Sequence, residues 1–363
     1  MELLSLFITS VMPVIKVLLV LAIGLFLATE SVDLLGPNAR HHLNNLVFYV
    51  FLPALIGCSI AKTSTVKTLE TLWFMPVNIF ISCIIGSVLG CILVKITKTP
   101  PCLKGLVIAC SSAANLGNML NIILPALCEE TNSPFGDSST CSTYGESYAL
   151  LSLAMQAIYV WSILYSIMRT SANSIVKENA EILSETLAEP LLVSHGISED
   201  NIYHVDLPDE GNQRKQELED DFRTVYNRRG RRSLPSLIIC HRREAGIPSM
   251  TLIVGANLLK GLKGSGVKTS LIVGILIIRN ILLPASGIVV VKAAMHLGLV
   301  GSYSLYQFTL LLQYAIPPAM NIGTILQMLG TGESEFSVLM LWSYVVAAFS
   351  LTLWTAFYIW LVT

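Results

Sequence analysis

Hydrophobic positions along the chain gather into nine runs, at Leu6–Ala28, Leu43–Ala61, Leu72–Ile96, Leu103–Leu127, Tyr148–Met168, Ile247–Leu259, Thr269–Ala294, Leu305–Leu329 and Phe336–Trp360. A bilayer core of about 30 Å is crossed by roughly 20 apolar residues of α-helix. Eight runs meet that length. Ile247–Leu259 does not, and it is expected to be re-entrant or interfacial, extended at most by its neighbours. The first run follows Met1-Glu2-Leu3-Leu4, which has no basic n-region, so it reads as an uncleaved first span. The pattern predicts an all-α polytopic membrane protein.

Composition sharpens that picture. Of 363 residues 53% are hydrophobic and 13% charged, about half the charged share of a soluble domain. Between Ser171 and Gly246 lie 24 of the 47 Asp, Glu, Lys and Arg residues, 14 acidic and 10 basic. So charged a stretch cannot bury a core, and it reads as a disordered loop. Its basic end (Arg228, Arg229, Arg231, Arg232) suits either a solvated topogenic loop or contact with anionic headgroups. Three segments follow: 1–170, a first repeat of five helices; 171–246, the charged loop; and 247–363, a second repeat of the short segment plus three helices.

Lys and Arg set the orientation. Arg40, Lys95, Lys98, Lys104 and the ten cations of the long loop fall on one side, expected to be cytosolic. The N-terminus and the Thr131–Glu146 loop, which has no Lys or Arg, fall on the other. That loop is bracketed by Cys128 and Cys141, and on an oxidising face a disulfide between them is chemically permitted; the alternative is two free thiols. Net charge of −1 offers nucleic acid no partner surface. The eight cysteines form no CxxC pair and no His cluster accompanies them, so no metal site is expected. P-loop, GxSxG, HExxH and GxGxxG motifs are absent, as is any nucleophile–base pair. No enzyme, catalytic residue or cofactor is expected.

Two runs are broken in the same way. Leu103–Leu127 contains Ser111-Ser112-Ala113-Ala114-Asn115-Leu116-Gly117-Asn118, then Asn121 and Pro125; Leu305–Leu329 contains Pro317-Pro318-Ala319-Met320-Asn321-Ile322-Gly323. A second echo sets Leu52-Pro53-Ala54-Leu55-Ile56-Gly57 against Ile247-Pro248 and Leu252-Ile253-Val254-Gly255. Lipid cannot hydrogen-bond backbone freed at a break, so the unwound stretch survives only inside protein or beside a water-filled cavity. One break alone is better explained by helix packing, with Asn as interhelical glue. Matching breaks in two halves point to a secondary transporter's substrate site. There the half-helix N-termini hold an anion without a basic side chain, and the Asn amides orient it.

No Asp, Glu or His occurs inside any run, which disfavours coupling through a buried acid. Two cations lie near the middle of runs, Lys16 and Arg279. The latter, beside Asn280, could meet an anionic substrate or a neighbouring carbonyl. No charged ring or carbonyl filter loop of a channel is visible.

Gln313-Tyr314-Ala315-Ile316-Pro317-Pro318-Ala319-Met320-Asn321-Ile322-Gly323 and Glu335-Phe336-Ser337-Val338-Leu339-Met340-Leu341-Trp342 resemble the PIN-LIKES (PILS) family of the plant auxin efflux carrier superfamily. So do Asn115-Leu116-Gly117-Asn118-Met119-Leu120, the Pro134-Phe135-Gly136-Asp137 loop and Ile247-Pro248-Ser249-Met250-Thr251-Leu252-Ile253-Val254-Gly255. The resemblance implies inverted repeats with crossed broken helices. It also implies a multi-pass carrier of auxin (indole-3-acetic acid) in the endoplasmic reticulum membrane, with the N-terminus luminal and the central loop cytosolic. The crossover positions it carries over are Asn115, Gly117, Asn118, Pro317, Pro318 and Asn321. Asn121 and Gly323 extend the same motifs, and Gln313 and Tyr314 are expected to line the pocket. The implied partners are a small organic anion and the lipid bilayer, with a homo-oligomer also compatible.

One departure stands out. Family members have a complete sixth helix and the start of a seventh before Ile-Pro-Ser-Met, whereas here His241-Arg242-Arg243-Glu244-Ala245 joins directly to it. The second repeat is therefore expected to be incomplete, which raises the alternative of a shortened form that does not transport.

Overall fold

The computed structural model describes residues 3–54, 72–129, 133–173, 246–264 and 267–363. Most of the charged loop, with its Arg cluster, lies outside the described residues. The described residues form helices, with no strand among them. In order these are α1 (Leu3–Leu27), α2 (Pro37–Leu46, running on through a π-turn at Val47–Phe51), α3 (Phe74–Thr97), α4 (Pro101–Ser112) and α5 (Leu116–Cys128). Next come α6 (Ser138–Asn173), α7 (Gly246–Gly264), α8 (Thr269–His296), α9 (Ser304–Ala315), α10 (Asn321–Leu329) and α11 (Glu333–Val362). By length and apolar composition α3, α6, α8 and α11 are each able to cross a membrane.

Apolar runs located these helices but understated their ends. α6 starts ten residues before Tyr148, because Asp137 caps it: the carboxylate accepts from the Thr140 N–H at 3.2 Å and the Ser139 hydroxyl at 2.6 Å. Ser and Thr then continue the helix by bonding back to carbonyls one turn earlier, as at Thr143 and Ser147. The short run also grows. Gly246–Gly264 is one unbroken helix of 19 residues, about 28 Å long at about 1.5 Å per residue. It packs along α1 and α11, and no re-entrant bend occurs within it.

Small residues let the backbones meet. A Cβ at Gly24 would lie 2.3 Å from the Leu252 carbonyl oxygen, and one at Gly255 would lie 2.2 Å from that of Leu21. α1 and α7 therefore touch main chain to main chain. Gly86 of α3 does the same for the end of α4, where an added Cβ would stand 2.5 Å from the Ser111 oxygen and 2.7 Å from Ser112 Cα.

In α8 a π-turn at Ile278–Leu282 precedes Pro284. Proline has no N–H for the carbonyl four residues before it. That carbonyl, on Asn280, accepts instead from the Trp354 indole N–H of α11 at 2.8 Å. The Asn280 amide oxygen takes the Ser350 hydroxyl at 2.5 Å, and the Tyr358 hydroxyl donates to Pro284 O at 3.2 Å. The π-turn is thereby held against α11 with Arg279 on it.

Candidate functional site at the helix crossover

The two broken helices cross. α4 ends at Ser112, Ala113 turns extended (φ −86°, ψ 123°), and α5 begins after Asn115. α9 ends at Ala315, Ile316 is extended (φ −74°, ψ 138°), and α10 begins after Met320. The extended links run antiparallel and pair, with Ala114 opposite Pro318. The Asn115 N–H donates to Pro317 O at 2.8 Å, and the Ala319 N–H donates to Ala113 O at 3.0 Å. Backbone groups that lipid could not satisfy thus satisfy each other. The Pro pair helps by removing two donors that would otherwise need partners.

Side chains brace the crossing. Asn115 Nδ2 donates to the Tyr344 hydroxyl at 2.7 Å, and that hydroxyl donates to Pro318 O at 3.3 Å. Tyr344, wholly buried on α11, therefore spans both links. Gly117 and Gly323 occupy matching places just inside α5 and α10. A Cβ at the first would strike the Leu153 side chain at 2.4 Å, and at the second the Phe336 ring at 2.8 Å. Asn321, half-buried at the start of α10, has an amide oxygen out of reach of solvent and without a hydrogen-bond partner. Asn121 is half-buried on α5. Asn118 lies in the first turn of α5, on the same half-helix.

Gln313 and Tyr314 point elsewhere. Both are buried within α9, and their polar atoms belong to a network with α3 and α6. Asn78 Nδ2 donates to Gln313 Oε1 at 2.8 Å and to Leu310 O at 3.0 Å; Gln313 Nε2 donates to Ser152 Oγ at 2.9 Å; the Tyr314 hydroxyl donates to Asn78 Oδ1 at 3.2 Å. They anchor the half-helix that precedes the break. On the other side of the crossing Asn44 of α2 donates to Thr324 O of α10 at 3.4 Å, and Arg40 donates to Asn257 Oδ1 of α7 at 2.5 Å.

Arg279 reaches the crossing from α8. Its guanidinium donates to Ser111 O at 3.3 Å, at the end of α4, and to Ile316 O just past the end of α9. Cys128, the last residue of α5, is disulfide-bonded to Cys141 in the second turn of α6, with a Cα separation of 5.5 Å. Among the described residues no cluster of His, Cys, Asp and Glu could hold a metal ion.

Sequence reasoning did not single out Asn78, Ser152 or Tyr344. Asn78 carried a visible signal, a lone amide in a long apolar run. Tyr344 carried none, since its partner Asn115 lies 229 residues away in the chain.

Four half-helix ends meet, two presenting carbonyls and two presenting N–H groups, and the N–H ends carry partial positive charge. They suit an anion bound reversibly, with no covalent step.

Known proteins resemble this chain over most of its length. Residues 9–203 and 244–355 match the family described as Membrane transport protein. Protein PIN-LIKES 3 of Arabidopsis thaliana is 43% identical over 99% of both chains. PIN-LIKES 1 is 42% identical over all of this chain and 81% of its own, and PIN-LIKES 4 is 40% identical over the whole of both. The alignment with PIN-LIKES 3 runs over 389 positions against the 363 residues here, so it opens gaps in this chain. This multi-pass chain thus belongs to the PIN-LIKES family of membrane transport proteins.

Proposed function

We propose that the chain carries auxin, as the indole-3-acetate anion, across the endoplasmic reticulum membrane and so regulates the hormone available for signalling. The observation that carries this reading is the paired crossing of two broken helices, Asn115 N–H to Pro317 O and Ala319 N–H to Ala113 O. The substrate carboxylate sits at the first turns of α5 and α10, oriented by Asn115, Asn118, Asn121 and Asn321, with Gly117, Gly323 and the Pro317-Pro318 link shaping the approach. The indole ring packs against apolar walls. Access alternates as the crossing helices move against the others. With no carboxylate inside the spanning runs, the anion moves without a coupled ion. The N-terminus faces the lumen and the charged loop faces the cytosol.

A second reading rests on the gaps against PIN-LIKES 3 and on the interruption of the family match between residues 203 and 244. In that reading the chain is a shortened form that does not transport, because lipid reaches part of the second repeat. Radiolabelled indole-3-acetate uptake into microsomes separates the two, with this chain compared to one carrying the complete helix. Saturable accumulation by both supports the carrier. Accumulation by the complete chain alone supports the shortened, non-transporting form. Uptake by neither removes auxin as substrate, and a competing organic anion taken up in its place identifies the cargo class.

A further inference from the structure

Arg279 is the deepest charge among the described residues: 3% exposed, inside a spanning helix, in a chain with no Asp or Glu within any spanning run. A buried guanidinium needs compensation. Its ionisable neighbours are the thiols of Cys83 and Cys110 and the phenol of Tyr344, groups that are ordinarily neutral at pH 7. The compensation comes from main chain. Nη1 donates to Ser111 O at 3.3 Å and Nη2 donates to Ile316 O, so one cation bonds the carbonyl ends of both α4 and α9.

The electrostatic consequence concerns the other two ends. Each half-helix brings about half a negative charge at its carbonyl end and half a positive charge at its N–H end. With four ends gathered at one crossing these contributions sum to nearly zero, and an anion at the N–H ends would feel both carbonyl ends close by. A unit positive charge seated on the carbonyl ends cancels them. The N–H ends of α5 and α10 are left unopposed.

We propose that Arg279 is the positioning residue that makes the crossover selective for anions, acting through the carbonyl ends of α4 and α9 and never touching the substrate. The inference rests on the anion site proposed above and goes beyond it, because it places the source of charge selectivity outside the binding pocket. Arg279 then differs from a substrate-binding cation in what its replacements do. Lysine keeps the charge while weakening the two-ended bridge; glutamine keeps a donor and loses the charge.

The test measures binding to the purified full chain in nanodiscs, with indole-3-acetate and benzoate as anions and indole-3-acetamide and benzamide as their neutral counterparts. The readout is the ratio of anion to neutral affinity, alongside monodispersity and thermal stability. Arg279→Gln is expected to lower that ratio about tenfold with little change in affinity for the amides. Arg279→Lys is expected to keep the ratio within about threefold of wild type while melting lower. A folded Arg279→Gln protein with the wild-type ratio, or one that loses affinity for amides and anions alike, overturns the assignment. Should the Gln variant fail to fold, a folded Arg279→Lys protein decides: retained anion preference supports the assignment and lost preference overturns it. Wild type that binds neither anion removes the crossover anion site and this assignment with it, whereas wild type that prefers benzoate to benzamide but ignores indole-3-acetate removes only auxin.

Discussion

Asn115 and Tyr344 meet at the helix crossing, the Asn115 amide donating to the tyrosine hydroxyl at 2.7 Å while that hydroxyl donates to Pro318 O at 3.3 Å. One phenol on α11 thereby couples the two links. Replacing Tyr344 with Phe leaves the Asn115 donor without its acceptor and Pro318 O without its donor. The expected cost is about 1–3 kcal/mol for the stranded buried groups. Thermal melting of the purified variant measures it, and a melting temperature equal to wild type would show that the bonds contribute nothing.

Gln313 and Asn78 form the core of the network behind the break. Asn78→Ala and Gln313→Ala should each destabilise by about 1–3 kcal/mol, and the double variant should cost less than their sum by about 1 kcal/mol. Additive losses would contradict a shared network. The same variants should alter uptake only as far as they lower membrane abundance, since their polar atoms bond one another and Ser152 rather than the N–H ends.

Gly86 is expected to tolerate no side chain. An added Cβ meets the Ser111 carbonyl and the Ser112 main chain, neither of which can rotate away. Gly86→Ala should cost about 1–3 kcal/mol from overpacking and displace the end of α4 that Arg279 holds. Gly136 (φ +94°), where an added Cβ has open space, fails for a different reason, its left-handed backbone. Gly136→Asn should therefore be milder than Gly136→Val. Melting temperatures of the three variants rank these expectations.

The Cys128–Cys141 disulfide pins the far end of α5 to the start of α6. Closing a loop of this size is worth about 3 kcal/mol in chain-entropy terms. Reductant should lower the melting temperature of wild type and leave a Cys128→Ser/Cys141→Ser double variant unchanged. Thiol labelling followed by mass spectrometry checks the pairing, and two freely alkylated thiols in protein taken from the membrane under non-reducing conditions would refute it.

Near the same disulfide, Asp137 caps α6, and its bonds to Ser139 and Thr140 hold the carboxyl below its ordinary range. A carboxylate stabilised in the folded state contributes above its unfolded pKa and loses that contribution as pH falls through the folded one. Acidification should therefore loosen the start of α6 in wild type. Asp137→Asn keeps an acceptor and removes that acid dependence, as hydrogen exchange at Thr140 would show.

Run lengths made the helices legible, and the Pro and Asn–Gly breaks made the crossover legible, because lipid penalises both charge and freed backbone so steeply. Ends were less legible. The cap at Asp137 and the serines and threonines that follow it extend α6 through a stretch that hydropathy assigns to a loop, and Gly261 lets α7 continue past Leu259 with its backbone near Ser334. Cys128 and Cys141 apart, side-chain partners were not legible. Arg279 was open to a substrate or a carbonyl until its bonds to Ser111 O and Ile316 O were located. Gln313 and Tyr314, four and three residues before Pro317, bond Asn78 because both lie where α9 packs on α3, a contact that the sequence does not display.

The central claim is that the crossed half-helix ends hold an organic anion, and uptake of radiolabelled indole-3-acetate by vesicles carrying wild type, Asn115→Ala or Asn321→Ala at matched abundance tests it most directly. The account predicts saturable uptake by wild type and a loss of about tenfold or more in each variant; undiminished uptake in both variants would contradict it.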